Sequence, residues 1–338
     1  MPIIPTVFRP IRANDVQTRP VKAYKRYTVT SGSFSGSGYR VHTGIHDIYT
    51  DAVSDSSYNY PNNITYFHVY SEIKNEKELL CIESYLATQD LEKTKLILWS
   101  DYDISDNELI KPYKDLIDMR VYDFKTESIG TLLENNEYLN GANDTKHYMK
   151  SGILRFLVTY KYGGVWVDMD MVLLRNFKPI LDQEWAYMWG AETDFNNFGP
   201  CAAIMNIHKE SAHGKMCLEE ILNTRMVPDS TVLDHVLLAK VYTKNKFTVF
   251  PSAFFNTEWQ MNVKWLNGVK QYDPNGLGTK TEKGWFVKNE YSDSLFENAF
   301  SWHWHNSTYK NHTIGEGSKF YQLQNKIKSL LNDKKIIL

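Results

Sequence analysis

Tyr162-Gly163-Gly164-Val165-Trp166-Val167-Asp168-Met169-Asp170-Met171-Val172-Leu173-Leu174 is the stretch from which the fold is read. Just upstream, Ile153, Leu154, Leu157 and Val158 recur at helical spacing within 146–161. The glycine pair stops that helix, because glycine takes a left-handed cap without steric cost. A short apolar run follows and ends in two carboxylates one residue apart. Helix, sharp stop, buried strand and acidic strand end make one unit of a sheet crossed over by helices. Carboxylates flanked by Val165-Trp166-Val167 and Met171-Val172-Leu173-Leu174 need a cation or hydrogen bonds to be tolerated near a core.

The same alternation extends on both sides. Ile64-Thr65-Tyr66-Phe67-His68-Val69-Tyr70, Lys95-Leu96-Ile97-Leu98-Trp99 and Met119-Arg120-Val121-Tyr122 read as strands, and 74–88 as a helix between the first two. Beyond the acidic pair, Ala186-Tyr187-Met188-Trp189 and Cys201-Ala202-Ala203-Ile204-Met205 are strand candidates, followed by helices near 209–224 and 231–241. Strands and helices alternating across short connections predict a mostly parallel sheet covered on both faces. Residues 251–285 are loop-rich, with Pro251, Pro274, Gly276 and Gly278. The segment 318–332 carries an apolar stripe of Phe320, Leu323, Ile327, Leu330 and Leu331, which predicts a terminal helix packed on the domain rather than one lying on a membrane.

Residues 1–60 are different, rich in Ser, Gly, Thr and Tyr and poor in Leu. The run Ser31-Gly32-Ser33-Phe34-Ser35-Gly36-Ser37-Gly38 fails as a phosphate loop, because no Lys-Ser/Thr follows it. An extension or small β appendage is expected, in texture similar to virion or appendage proteins. Domain limits are thus placed at 1–60, 61–315 and 316–338.

Composition narrows the partners. A net charge of −2 over 338 residues, with no basic cluster among the aromatics, argues against nucleic acid. The 22 Tyr, 16 Phe and 9 Trp suit either a carbohydrate-binding surface or an aromatic core. Cys81, Cys201 and Cys217 show no CxxC spacing, which predicts buried thiols in a reducing compartment. No apolar run reaches the ~18 residues of a membrane span, and the first residues lack the pattern of a signal peptide. A cytoplasmic protein is expected, with the sequons at Asn63, Asn143, Asn306 and Asn311 unglycosylated.

Asp-x-Asp at a strand end is suited to a divalent cation. Residues i and i+2 of an extended strand project to one side. Mg²⁺ and Mn²⁺ take one or two carboxylates and leave the remaining positions to phosphate oxygens and water. In open α/β sheets, ligands bind at the carboxyl ends of the strands. An EF-hand reading fails, since counting from Asp168 puts Leu173 at the glycine position and Pro179 at the glutamate position. His208, His213 and Cys217 match no zinc spacing.

Ser151-Gly152-Ile153-Leu154-Arg155-Phe156, the Tyr-Gly-Gly stop and Asp168-Met169-Asp170 together resemble the motif of the DXD sugar transferases. These include yeast-type initiating mannosyltransferases, α-1,4-galactosyltransferases, capsule and lipopolysaccharide sugar transferases, and clostridial glucosylating toxins. Cys81-Ile82-Glu83-Ser84, Leu98-Trp99-Ser100-Asp101 and Trp302-His303-Trp304-His305-Asn306-Ser307 are similar to further segments of that family, in the expected order, so that the resemblance covers about 64–310. One departure is Gly152, where the family usually has an Asp that contacts the donor sugar.

The resemblance implies a GT-A-like, Rossmann-like fold and a retaining hexosyl transfer from a UDP- or GDP-sugar to a glycan or protein acceptor, with Mn²⁺ or Mg²⁺. On this reading Asp170 and His303 hold the metal, Asp168 orients the ribose or the sugar, and Arg155 reaches the donor sugar or diphosphate. Val69, Tyr70, Ser151 and Asn197 belong to the donor site, Tyr70 by stacking on the base. Asn196 stands beside Asn197, and Asp234 and His305 are weaker candidates for sugar or acceptor. If Trp302–His305 is extended, both histidines face one side and both tryptophans the other. The loop 251–285 is the expected acceptor loop. Two competing readings are a module that holds a glycan or nucleotide without turnover, and a nucleotidyl- or phosphotransferase using the same acidic pair.

Overall fold

The computed structural model describes residues 64–140, 147–188, 200–224, 233–250, 254–256 and 299–336. The N-terminal sixty residues, Asn196, Asn197 and all of 251–285 except 254–256 lie outside them, so the expectations placed there have no structural counterpart.

Seven strands form one sheet: β1 (Thr65–Tyr70), β2 (Thr94–Ser100), β3 (Asp118–Val121), β4 (Gly164–Val167), β6 (Trp185–Met188), β7 (Pro200–Ile207) and β8 (Thr248–Phe250), in the order β3-β2-β1-β4-β7-β6-β8. Pairings β3–β2, β2–β1, β1–β4 and β6–β8 are parallel, and β7 runs antiparallel to both β4 and β6. The expected α/β sheet is therefore present, mostly parallel but mixed in its second half. Two short strands, β5 (Met171–Leu173) and β9 (Ser301–His303), pair antiparallel in a separate ribbon. That ribbon and β8 were not anticipated, since three-residue strands carry no periodicity to read.

The main helices are α1 (Glu76–Thr88), α2 (His147–Tyr162), α3 (Ala212–Thr224), α4 (Leu233–Lys244) and α5 (Lys319–Asp333). Helix α1 begins where the Asn75 side chain accepts from the backbone N–H groups of Lys77 and Glu78. One face of the sheet buries Phe67, Val69, Leu98 and Val165 in a core that α1 and α5 share. The other face buries Trp99, Trp166 and Met205 against Phe156 and Leu157 of α2 and Leu218 of α3. Much of the aromatic excess is core: Phe177, Trp185, Phe250, Phe254, Phe255 and Phe300 form one contiguous set of ring contacts.

The glycine pair does more than end α2. Gly163 has φ +76° and returns its N–H to Thr159 O, closing the helix. Gly164 has φ +106°, and a Cβ there would stand 2.1 Å from Tyr66 O on the neighbouring strand. Only glycine lets β4 approach β1 this closely. Chain order then reverses direction across the sheet between β1 and β4, the kind of crevice where α/β sheets bind ligands. Tyr70, Asp101 and Asp168 lie at the carboxyl ends of β1, β2 and β4.

Candidate active site

Asp168 and Asp170 do not continue β4 as an extended pair. The strand ends at Val167, and Met171 N–H returns to Asp168 O at 3.0 Å, making a tight turn. The two carboxylates consequently take different partners, a correction to the expectation from strand periodicity.

Asp168 faces α2. Its Oδ1 accepts from Trp166 Nε1 at 2.7 Å and lies 3.2 Å from Arg155 Nη2. Arg155, on the inner face of α2, is held on every side. Its Nη1 donates to Ala202 O (2.9 Å) and faces Asp234 Oδ2 (3.4 Å); Nε donates to Ser151 O (3.3 Å) and Nη2 to Ser151 Oγ (3.2 Å). The guanidinium also lies over the Trp166 ring. Burial opposes its charge, but Asp168 and Asp234 outweigh that and raise its pKa. Burial pushes Asp168 up to about 6, with Arg155 pulling it back and the neighbouring Asp170 adding to the rise. Ser151, Asp168 and Asp234 thus form one partly buried polar network around the buried guanidinium of Arg155.

Asp170 faces the ribbon. Its Oδ2 lies 3.1 Å from His303 Nε2 and accepts from Asn306 N–H at 2.9 Å, and its carbonyl accepts from Trp304 N–H. Burial would raise its pKa, yet His303, the Asn306 N–H and His305 together hold it well below the usual carboxylate range. His303 Nδ1 meets Tyr187 Oη at 3.2 Å, and His305 Nε2 meets Asn256 Oδ1 at 3.1 Å. The two imidazoles stack with centroids 4.0 Å apart, while Trp302 and Trp304 both pack on Phe320. Alternation along 302–305 therefore sorts the side chains as expected, histidines to the site and tryptophans to the core. Burial, then the neighbouring His303, hold His305 well below the ordinary histidine range.

The donor candidates on β1 sit deeper than their expected roles require. Val69 packs in the core beneath α1. Tyr70 is 4 % exposed, donates to Asp101 Oδ1 at 2.6 Å and meets Tyr122 edge-on. In this arrangement its ring presents little surface to a base. Asp101 also pairs with Lys150 of α2 at 3.1 Å, which ties the end of β2 to the helix that carries Arg155. Gly152 lies in α2 next to Ser151.

Sequence reasoning missed Trp166 and the Asn306 N–H as partners of the acidic pair, and Tyr187 and Asn256 as partners of His303 and His305. Trp166 had a readable signal, lying two residues before Asp168 at the end of β4. Tyr187 and Asn256 come from remote segments and had none.

The metal implied by the motif can be tested against this geometry. Two ligands at right angles around an octahedral ion, each ~2.1 Å from it, stand about 3.0 Å apart. Asp170 Oδ2 and His303 Nε2, at 3.1 Å, already have that spacing. The carboxylate suits Mn²⁺ or Mg²⁺, whereas the imidazole favours the transition metal of the two, Mn²⁺. The residues present fit the ion.

Residues 75–187 match the family of glycosyltransferase sugar-binding regions containing the DXD motif. The chain carries a glycosyltransferase domain. The match ends at Tyr187, so Asp234, His303 and His305 lie beyond it. No curated protein sequence matches the chain significantly. Among solved structures, the PaToxG glycosyltransferase shares 16 % identity over 60 % of this chain and 77 % of its own, with a TM-score of 0.41. GlyE of Streptococcus pneumoniae TIGR4 shares 9 % over 81 % of this chain and 64 % of its own, with a TM-score of 0.47. The bifunctional WbbM shares 12 % over 82 % of this chain and 52 % of its own, again at 0.47. None of the described helices is long and apolar enough to cross a membrane.

Proposed function

We propose that the glycosyltransferase domain moves a hexose from a UDP- or GDP-sugar to a glycan or protein acceptor, with retention at the anomeric carbon and with Mn²⁺ or Mg²⁺ held by Asp170 and His303. One observation carries this reading: a fully engaged guanidinium, Arg155, stands between Asp168 and Asp234, while the second carboxylate of the motif is paired with His303. The site divides into a cation-holding half and a half that suits sugar hydroxyls and phosphate.

Bound at Asp170 and His303, the ion would supply Lewis-acid neutralisation of the charge that develops on the departing nucleoside diphosphate. The chain's own residues do the rest. Arg155 offers a fixed positive group that need not reorganise as charge develops, because five contacts already hold it in place. Asp168, steered by Trp166 and Arg155, is oriented to accept from a ribose or sugar hydroxyl. Tyr187 suits either tautomer of His303, since a phenol can donate to Nδ1 or accept from it. Burial, then the acidic pair, raise the Cys81 thiol, and burial, then Asp234, raise that of Cys201, so both stay protonated and neither supplies a nucleophile. That supports attack by the acceptor itself on the face the diphosphate leaves.

The test is a panel of UDP- and GDP-sugars incubated with the protein and Mn²⁺, with free nucleotide and transferred sugar both measured. Metal-dependent release of intact UDP or GDP that is lost in Asp170→Asn supports the reading. Tight sugar-nucleotide binding without release would point to a non-catalytic module, and cleavage inside the diphosphate would point to phosphoryl transfer.

A further inference from the structure

Behind Arg155 lies a second group of metal-ligating side chains that the proposed reaction does not use as ligands. Cys201 is on β7 in register with Tyr187, and Asp234 and His235 open α4. One ligand atom from each lies within 4.8 Å of the other two. Cys201 and His235 are both buried. His235 Nε2 is 3.8 Å from Asp234 Oδ1, whose other oxygen faces Arg155.

The donor types separate this cluster from the Asp170–His303 pair. Sulfur, imidazole nitrogen and one carboxylate oxygen are the mixed set that zinc takes in preference to Mg²⁺ or Mn²⁺. Tetrahedral zinc, with bonds of about 2.0–2.3 Å, spaces its ligand atoms by roughly 3.3–3.6 Å. Asp234 and His235 are nearly at that spacing, and the three ligand atoms, all within 4.8 Å of one another, would draw together about the ion. Three protein ligands leave the fourth position to water, the open pattern of non-structural zinc sites.

We propose that Cys201, Asp234 and His235 form a zinc site, separate from the Asp170–His303 pair, that links β7 to α4 and shares Asp234 with Arg155. Zinc displaces the Cys201 thiol proton to solvent and binds the thiolate. Its charge on Asp234 Oδ1 competes with Arg155 for the same carboxylate. Zinc therefore slows the transferase while stabilising the fold; the first effect rests on the proposed function, and the second does not.

Cobalt(II) reports thiolate ligation directly, through a near-ultraviolet sulfur-to-metal charge-transfer band. The full chain titrated with Co²⁺ should develop that band at one equivalent, lose it on adding Zn²⁺, and show a raised Tm with either ion. Cys201→Ser should abolish the band, whereas Cys81→Ser and Cys217→Ser should keep it. His235→Gln should weaken zinc at least by the ~10–100-fold that losing a mere partner of a ligand costs. If Cys201→Ser fails to fold, judged by near-ultraviolet circular dichroism, Cys201→Ala and the His235 variant carry the test. No band, or a band that survives both Cys201 variants, overturns the proposal. A Cys201-dependent band in a protein that turns over no sugar nucleotide would uphold the zinc site and remove the proposed function instead.

Discussion

His303 Nε2 stands 3.1 Å from Oδ2 of Asp170, across a sequence separation that spans most of the second half of the chain. The β5–β9 ribbon sets this distance: Met171 pairs with His303, and Asp170 is the residue just before. Backbone bonds from Trp304 and Asn306 back to Asp170 lock the crossing. The acidic motif and its histidine are thus joined by a small two-stranded element that the main sheet does not require.

Removing Asp170 should therefore do more than delete a carboxylate. Asp170→Asn is expected to lower Mn²⁺-dependent turnover by ~10²–10³, the cost of losing one main stabiliser of developing charge. His303→Gln should chiefly raise the metal concentration needed for half-maximal rate. Tyr187→Phe should do so by ~10-fold, since it loses only the partner of a ligand. Metal-dependence curves for the three variants check the order; a Tyr187→Phe protein as impaired as Asp170→Asn would contradict it.

Arg155 should not tolerate lysine. A single ammonium cannot reach Ser151, Ala202, Asp168 and Asp234 together, as the guanidinium fork does. Arg155→Lys is expected to lose ~10²-fold in kcat/KM with the fold kept. Steady-state kinetics beside a melting curve decide this, and near-wild-type kinetics for the lysine variant would show that Arg155 acts through structure alone.

His68 should make the fold acid-sensitive. It is fully buried, donates from Nε2 to Gly163 O at 3.0 Å and accepts at Nδ1 from Trp99 Nε1 at 3.3 Å, so the neutral ring fits and the charged one does not. Burial lowers its pKa to about 4. The unfolded chain, with an ordinary pKa near 6.5, then binds more protons between pH 6.5 and 4, and stability falls across that window as pH drops. The full effect is on the order of 3 kcal/mol, complete below about pH 4. Urea denaturation at stepped pH, compared with His68→Gln, should show the variant's curve flatter in that range; identical slopes would remove His68 as the cause.

Gly164→Ala should be among the most damaging single substitutions in the chain. The added Cβ meets Tyr66 O at 2.1 Å, and φ of +106° is closed to other residues. A loss of ~3 kcal/mol or more, or failure to fold, is expected. An alanine variant within 1 kcal/mol of wild type by chemical denaturation would show that β1 and β4 do not approach as described. Gly130, also at positive φ but with open space around it, should pay only the backbone strain.

Local rules were enough to read the helix over His147–Tyr162, its glycine stop, the buried strand after it and the alternation at Trp302–His305. Each of these depends on neighbours a few residues away, and a period or a cap records them in the sequence. The Asp-x-Asp motif identified the site for the same reason. Its geometry was misread: strand periodicity put both carboxylates on one side, whereas the turn at Met171 sends Asp168 to Arg155 and Asp170 to His303. Tyr70 shows the same limit, since its strand position was legible and its burial against Asp101 and Tyr122 was not.

Residue order alone carried the α/β character, the glycine stop of α2 and the residue types of the acidic site. Tertiary structure alone decided the antiparallel insertion of β7, the ribbon that brings His303 to Asp170, and the meeting of Cys201 with Asp234 and His235. The reason is range. Turns, caps and alternation are short-range energies written in adjacent residues, whereas these contacts join segments thirty to more than a hundred residues apart. Their cost is loop closure and their gain is burial, and neither leaves a local pattern in the chain.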